Sequence, residues 1–249
     1  QTPAYEILSG LVGSEMCIRD RCLAKAIDYD RETGHELAKL LMTRNDLMLR
    51  RAMADVLTRL FRRLTEDALP FYEQLKQDED PDVLAAISTT SSDLRFLDTE
   101  MWAENLVELS KHKLPIVRRN LVPSLRNYFE TFPNDTKKLL PVMWQDGDEV
   151  VRTRMRELLI KMANVSSEQF SSRLTDLLEH GCDLTPLWKL MDARKDGSSK
   201  EWINWLSGDG EMPITSMEKM HISTMEAPES LPDLGDALET LDQQLGFLD

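Results

Sequence analysis

Apolar residues recur in this chain every 34 residues, and this recurrence restricts the possible folds more than any other feature of the sequence. The aligned residues are Leu49, Val83, Val117 and Val151, then Met53, Ile87, Leu121 and Met155 four positions later, and Leu57, Ser91, Leu125 and Leu159 eight positions later. Positions separated by four and eight residues lie on one face of an α-helix. The pattern therefore predicts one amphipathic helix that occurs four times.

A second set of positions recurs at the same interval and predicts a partner helix. Its members are Ala38, Tyr72, Leu106, Leu140 and Leu174, followed three residues later by Leu41, Leu75, Leu109, Met143 and Leu177. A lone helical pair cannot cover its own apolar face, so it must pack on the next pair. We predict an all-α fold, an α-solenoid of helical pairs with a 34-residue period, plus an acidic C-terminal tail that carries a short amphipathic helix.

Prolines and aspartates mark the predicted starts of the first helices, which lie near Asp46, Pro81, Pro115 and Asp148. Proline is tolerated in a first turn because its missing N–H has no partner there, and acidic residues interact favourably with the helix dipole. We expect four helical pairs over residues 46–181, with Gly181 ending the last helix. One further helix is expected before them, over residues 32–42.

Three of the first helices begin with a similar motif. The motifs are "LPIVRRNL" with Pro115, Val117 and Arg118, "DEVVRTRM" with Asp148, Val151 and Arg152, and "LMLRRAM" with Leu49 and Arg50. With these residues the chain resembles HEAT repeats, within the wider HEAT/armadillo class of α-solenoids. The second repeat departs from the motif, because Leu84 stands where arginine is usual and Thr90 and Ser91 are polar.

The recurring arginines are the candidate protein-binding residues of the repeats: Arg50, Arg51, Arg118, Arg119 and Arg152. The resemblance implies that such arginines pair with an acidic residue of an adjacent turn and fix the orientation of neighbouring repeats. In the alternative, stacked repeats align them into a basic stripe that docks an acidic peptide or contacts phosphates. Both roles remain open at the level of sequence.

The repeat pattern fails after Gly181, where two further helices are expected, within residues 184–196 and 200–206. A stack of repeats needs a cap over its last open face. We assign this role to Leu187, Trp188, Trp202, Trp205 and Leu206. The predicted solenoid with its cap therefore covers residues 22–206.

The C-terminal part of the chain is acidic. Residues 207–249 contain ten acidic residues and one lysine, which accounts for −9 of the formal net charge of −14. Residues 207–228 are typical of a flexible linker. Residues 229–249 place leucines at alternating intervals of three and four, as in an amphipathic helix. The candidate binding residues here are Leu238, Leu241 and Leu245, and the helix is expected to dock either on the solenoid itself or on a partner.

The opening stretch "LVGSEMCIRDR", residues 11–21, has no helical or strand period. It resembles the conceptual translation of a sequencing adapter. We therefore treat residues 1–21 as a leader unrelated to the fold.

Other features of the sequence restrict where the protein acts and what chemistry it performs. We find no apolar run long enough to cross a membrane and no secretory signal. Three cysteines, Cys17, Cys22 and Cys182, do not make a disulfide framework, so a cytoplasmic location is expected. Phosphate-binding loops, nucleophile elbows and helical zinc motifs are missing as well. No enzyme activity, metal or cofactor is expected.

These observations predict a non-catalytic scaffold or regulatory module that binds a protein or peptide on the solenoid surface. The alternative is a nucleic-acid-binding HEAT-like protein, similar to the alkylpurine DNA glycosylases. Such a protein needs a basic concave face with exposed aromatic residues, for which Trp102 and Trp144 are the candidates. The acidic net charge disfavours nucleic acid as the partner.

Overall fold

The structure is a computed structural model that describes residues 25–26, 28–44, 46–194 and 199–214, and within these residues it is all-α, without a β-strand. This confirms the all-α part of the predicted fold class. The helices are α1 Arg31–Met42, α2 Leu47–Leu64, α3 Leu69–Lys76, α4 Pro81–Thr90, α5 Thr99–Ser110, α6 Pro115–Thr131, α7 Pro133–Trp144, α8 Glu149–Ala163, α9 Ser167–Glu179, α10 Thr185–Ala193 and α11 Ser199–Leu206. Two short 3-10 helices, Thr65–Ala68 and Ser91–Phe96, follow α2 and α4.

Aspartates and prolines set the helix starts, as the sequence predicted. Asp46 caps α2 by accepting hydrogen bonds from the backbone N–H groups of Met48 and Leu49, and Asp80 caps α4 in the same way. Prolines occupy the first turns of α4 and α6. Side-chain caps of this kind satisfy N–H groups that have no partner within the helix.

Most of the recurring apolar positions are buried in the protein core. All ten residues of the second set are buried, and so are the positions of the first set except Leu49, which is half-buried. Ser91 is also buried, and its hydroxyl donates a hydrogen bond to the Ser88 carbonyl at 2.6 Å. This polar residue is tolerated at a buried position because its hydrogen bond is made within the chain.

The chain divides into two compact units. The first takes in the described residues up to Leu159 and Arg173–Leu187. In this unit α2 packs against α4 and α4 against α6, while α5 packs against both α6 and α7.

The second unit takes in Ile160–Ser172 and the described residues from Trp188 onward. Its core includes Phe170 and Trp202, whose rings meet edge to face with centroids 4.7 Å apart, and Trp205 packs on Trp202 at 5.7 Å. Of the residues assigned to the cap, Leu187 and Trp202 are buried, whereas Trp188, Trp205 and Leu206 are half-buried. None of these five residues is therefore fully exposed to the solvent.

Several predicted segments lie outside the described residues. These are the leader 1–21, most of the linker 207–228, and the segment 229–249 with Leu238, Leu241 and Leu245. The predictions made for them stay predictions.

Candidate functional site

The candidate arginines of α2 form ion pairs with the residues that precede α4. Arg50 Nε donates to Asp78 Oδ2 at 2.6 Å. Arg51 makes a bidentate contact with Asp80, from Nε at 2.9 Å and from Nη2 at 2.8 Å. Arg51 Nη2 also lies 2.9 Å from an oxygen of Asp82. The two guanidinium groups therefore hold the turn that leads into the next helix.

The same arrangement occurs between α6 and the turn before α8. Arg118 contacts Asp146 through Nε at 2.7 Å and Nη2 at 2.9 Å. Arg119 contacts Asp148 through Nε at 2.8 Å and Nη2 at 2.6 Å. Planar guanidinium and carboxylate groups match each other in this two-pronged geometry. We refer to the four contacts as the arginine–aspartate pairs.

Each of these aspartates also organises the backbone around it. Asp78 and Asp146 accept hydrogen bonds from the N–H groups of Asp80 and Asp148, at 2.9 and 2.8 Å. Asp80 caps α4, and Asp148 accepts from the N–H of Val151 in the first turn of α8 at 3.1 Å. The arginines are thus joined to carboxylates that already determine where the following helix begins.

The ion pairs keep the carboxylates charged. Hydrogen bonds from Arg51 lower the pKa of Asp80, and hydrogen bonds from Arg119 lower the pKa of Asp148. For Asp146, burial alone would raise the pKa, but hydrogen bonds from Arg118 and from the N–H of Asp148 outweigh it and the pKa is lowered. The positive charges of these arginines are therefore neutralised within the protein at neutral pH.

Arg152, the fifth candidate arginine, is also engaged within the chain. Its guanidinium pairs with Glu149 one turn earlier and donates to the backbone carbonyl of Asp146. Arg118 makes the equivalent contact, to the carbonyl of His112 at 2.5 Å. These contacts favour the first of the two roles considered for the arginines, ion pairing between adjacent turns, over a basic stripe open to a ligand.

α4 has no arginine at the positions from which α2 and α6 make these pairs, and other contacts join it to α6. Leu84 and Ala85 stand 34 residues after Arg50 and Arg51. Here the Asn120 amide donates to the Ala85 carbonyl at 3.2 Å. In the same way, Arg154 Nη1 of α8 donates to the Arg119 carbonyl of α6 at 2.5 Å. Side-chain hydrogen bonds to a neighbouring backbone therefore link α4 to α6 and α6 to α8.

The two candidate stacking aromatics are buried. Trp102 is 1% exposed and lies near the rings of Tyr128 and Phe132, and Trp144 is 6% exposed and donates from Nε1 to the Asp183 carbonyl at 3.2 Å. The expectation that these residues offer exposed rings to a nucleic acid is wrong. Both occupy apolar positions of their helices, and packing rather than binding accounts for them.

A smaller basic cluster remains near the solvent. Arg59 and Arg63, at the end of α2, both reach Asp28 at 3.3 Å, and together with Arg62 they line an open depression of about 520 Å³. Arg59 and Arg63 are about half exposed, and Arg62 is exposed. Arg62 and Arg63 stand in the last turn of the helix, where basic residues interact favourably with its dipole, so their position has a structural explanation.

A concave surface of the described residues lies between α5 and α7. This α5–α7 groove has a volume of about 890 Å³. It is lined by Ala103, Glu104, Val107, Glu108, Ser110 and Lys111 of α5 and its end, Tyr128 of α6, and Asp135, Lys138, Leu139 and Val142 of α7. The lining positions of α5 and of α7 are mostly three or four residues apart and therefore lie on one side of each helix. Each of the two helices thus contributes one face to the groove.

Sequence reasoning missed this groove. The signal that points to it is Val142, an apolar residue that stands beside the buried positions Leu140 and Met143 and is 53% exposed. Val107 lies between the buried positions Leu106 and Leu109 and is half-buried. Apolar residues beside the core-facing positions of α5 and α7 could have marked the surface.

The described residues offer no group of three or more His, Cys, Asp or Glu side chains arranged to hold a metal ion. Cys182 is buried and accepts a hydrogen bond from the Gln145 amide at 3.3 Å, and burial raises the pKa of its thiol. In the same part of the chain, every helix is too short or too polar to cross a membrane.

Comparison with known proteins leaves the all-helical class as the identification that can be made. A scan against protein-family models and a search of curated proteins both found no match to this chain. Inference about function therefore rests on the helices, the arginine–aspartate pairs and the α5–α7 groove themselves.

Proposed function

We propose that this protein is a HEAT/armadillo-like α-solenoid that acts as a non-catalytic interaction scaffold or regulatory module and binds a protein or peptide on its helical surface. The helix starts support a repeated unit. α2, α4, α6 and α8 begin at Leu47, Pro81, Pro115 and Glu149, which follow one another at equal intervals along the chain. A fixed unit length with a buried face in every copy is typical of stacked repeats.

The observation that carries the proposal is the recurrence of the arginine–aspartate pairs. Arg118 and Arg119 stand two repeat units after Arg50 and Arg51, and their partners Asp146 and Asp148 stand the same distance along the chain after Asp78 and Asp80. Equivalent contacts at twice the unit length are expected if neighbouring units are joined by one repeated geometry. In such an architecture the arginines orient the repeats, and binding falls to surfaces that the repeats leave open.

A protein partner has more support than a nucleic acid. The recurring arginines are neutralised by aspartates, Trp102 and Trp144 are buried, and the net charge of the chain is −14. Nucleic-acid binding requires a basic surface that releases counterions from the phosphates. The α5–α7 groove, by contrast, offers apolar and charged side chains together, as protein-binding surfaces do. The cytoplasm is the proposed location, in keeping with the free thiol of Cys182.

A peptide-display selection against the full chain tests this proposal. Selection from a library of random peptides of about 16 residues is expected to enrich sequences that bind with micromolar dissociation constants, the affinity of many transient peptide contacts. A gel-shift series with double-stranded DNA at increasing salt serves as the comparison. A selection that enriches no binding peptide, together with DNA binding that weakens with salt, would refute the scaffold and favour the nucleic-acid alternative.

A further inference from the structure

We propose that the α5–α7 groove binds an amphipathic helix of a partner protein, with the apolar face of that helix in the groove and basic side chains along the α5 edge. The inference deepens the proposed scaffold function and rests on it. It assigns both the place where the partner docks and the chemistry that the partner must present.

The apolar part of the groove combines exposed and half-buried side chains with a buried floor. Val142 is exposed, Val107 and Ala103 are half-buried, and Leu139 and Tyr128 form the buried floor beneath them. An apolar surface that is continuous from core to solvent gains free energy when a partner removes it from water. Val142 gains most, because more than half of its side chain faces the solvent.

The position and volume of the groove suit a helix. It runs between two helices, and its volume of about 890 Å³ is open to the solvent along one side rather than enclosed. Helices that dock in such grooves insert side chains spaced at i, i+3 or i+4, and i+7. A volume of this size holds several aliphatic side chains, since pockets of about 300–1,000 Å³ hold ligands of comparable bulk.

The charges around the groove are distributed unevenly. On α7, Asp135 and Lys138 pair with each other, with Nζ and Oδ1 separated by 3.4 Å. On α5, Glu104 makes no ion pair with any residue that the structure describes. Glu108 Oε2 lies 3.0 Å from Lys76 Nζ, which also pairs with Glu73. Lys111 follows at the end of α5. The α5 edge therefore keeps an excess of negative charge.

Glu100 extends this acidic edge by one helical turn. Glu100, Glu104 and Glu108 are separated by four residues each, are all exposed, and so lie along one side of α5. A row of carboxylates beside an apolar groove matches a peptide that carries lysine or arginine next to its apolar face. This charge complementarity identifies the occupant as a basic amphipathic helix.

The same charges argue against an occupant from this chain. The leucines Leu238, Leu241 and Leu245 are flanked by Asp236, Glu239 and Asp242, without a basic residue between them. These acids would face the glutamates of α5, and like charges at close range repel. A second copy of this acidic chain presents the same difficulty. The partner is therefore a different protein.

Designed peptides bound to the full chain test the inference. The probe is a fluorescein-labelled helical peptide of about 18 residues with leucines at i, i+4, i+7 and i+11 and lysines on one flank, the spacing that grooves of this kind accept. A matched peptide carries glutamate in place of every lysine, and a third peptide reproduces residues 229–249. Fluorescence anisotropy at low salt gives the affinities, and we expect the lysine peptide to bind most tightly of the three.

Two variants with matched controls locate the binding. Val142→Glu is expected to weaken binding of the lysine peptide about tenfold or more, as for an anchor contact at the centre of an interface. Glu104→Lys is expected to weaken it about fivefold and to strengthen binding of the glutamate peptide, since it reverses the charge of the edge. The controls are Val150→Glu on α8 and Glu66→Lys on the 3-10 helix after α2, both exposed and outside the groove. These controls should leave both affinities unchanged.

The outcomes separate this inference from the proposed function. Three results would overturn the proposal that the groove binds a basic helix. They are equal binding of the lysine peptide to wild type and to Val142→Glu, tighter binding of either acidic peptide, and no binding of the lysine peptide. In that case, peptides from the display selection that bind regardless of Val142→Glu leave the scaffold function standing with another docking site. If the selection enriches no binding peptide, the result counts against the proposed scaffold function itself.

Discussion

Removing the Arg118 guanidinium should destabilise the fold more than removing a comparable surface arginine. Arg118 is 15% exposed and Asp146 is 7% exposed, and they share two hydrogen bonds of 2.7 and 2.9 Å. Arg118→Met keeps most of the aliphatic stem but removes all of the donors. Asp146 then keeps the hydrogen bond from the Asp148 N–H but loses its counter-charge, in a site that largely excludes water.

The expected magnitude lies between two known limits. Breaking a fully buried ion pair from one side costs about 3–5 kcal/mol, because a buried charge is left uncompensated. An exposed pair contributes about 0.2–1 kcal/mol. Since the Arg118–Asp146 pair is mostly but not fully buried, we expect Arg118→Met to lower the free energy of unfolding by about 2 kcal/mol.

Urea denaturation followed by circular dichroism measures this change, with Arg126→Met as the control. Arg126 lies in the same helix and pairs with Glu130 at 3.2 Å, but the two side chains are more exposed, at 40% and 35%. Its replacement should cost less than about 0.5 kcal/mol. If Arg118→Met is no less stable than Arg126→Met, the argument that the arginine–aspartate pairs orient the helices is refuted.

A double-mutant cycle separates the pair from its surroundings. In the Asp146→Asn background the carboxylate charge is gone, so Arg118→Met should cost less than it does in the wild type. We expect a coupling energy of about 1–2 kcal/mol between the two sites. Additive losses would show that Arg118 acts mainly through its contact with the His112 carbonyl.

Three further predictions concern acid, the core and a helix end. The pKa values of Asp80 and Asp146 lie below the ordinary value of 3.8. Their ion pairs therefore stabilise the fold fully above that pH, and this contribution is lost as the pH falls through the lower pKa values of the folded state. The urea midpoint of the wild type should fall on acidification into this range, and that of Arg118→Met should fall less. Leu140→Ala should cost about 2–5 kcal/mol because the side chain is fully buried, whereas Val142→Ala, two residues away and exposed, should stay within about 0.5 kcal/mol in the same assay. Gly181→Ala should cost about 1 kcal/mol, because Gly181 has a φ of +65° and an added Cβ meets no atom within 4 Å, so that backbone strain alone acts; a thermal melt that matches the wild type would contradict this.

Much of the fold could be predicted from local features of the sequence. A helix start is decided by a few neighbouring residues, such as Asp80 and Pro81, and these are visible without any tertiary information. The core-facing positions follow from the helical period, and residues such as Leu106 and Leu140 are buried as that period requires. Gly181 and Gly208 end their helices with positive φ, which glycine tolerates best.

The candidate site was less predictable, because it depends on which residues meet across the chain. The sequence identified Arg118 and Arg119 as notable but left open whether they bind a ligand or an internal acid. The sequence suggested a binding role for Trp102 and Trp144, because tryptophan occurs both in protein cores and at interfaces. Burial of both indoles settles their role as packing residues.

The sequence by itself determined the helices, their ends and their buried faces, since these depend on side chains within a few residues of one another and on the period of the apolar positions. Tertiary structure alone decided that Arg50 meets Asp78 and Arg118 meets Asp146, 28 residues away in each case, and that Val107 and Val142 border one groove. Contacts between distant residues depend on how helices pack. A pattern confined to single helices does not specify that packing.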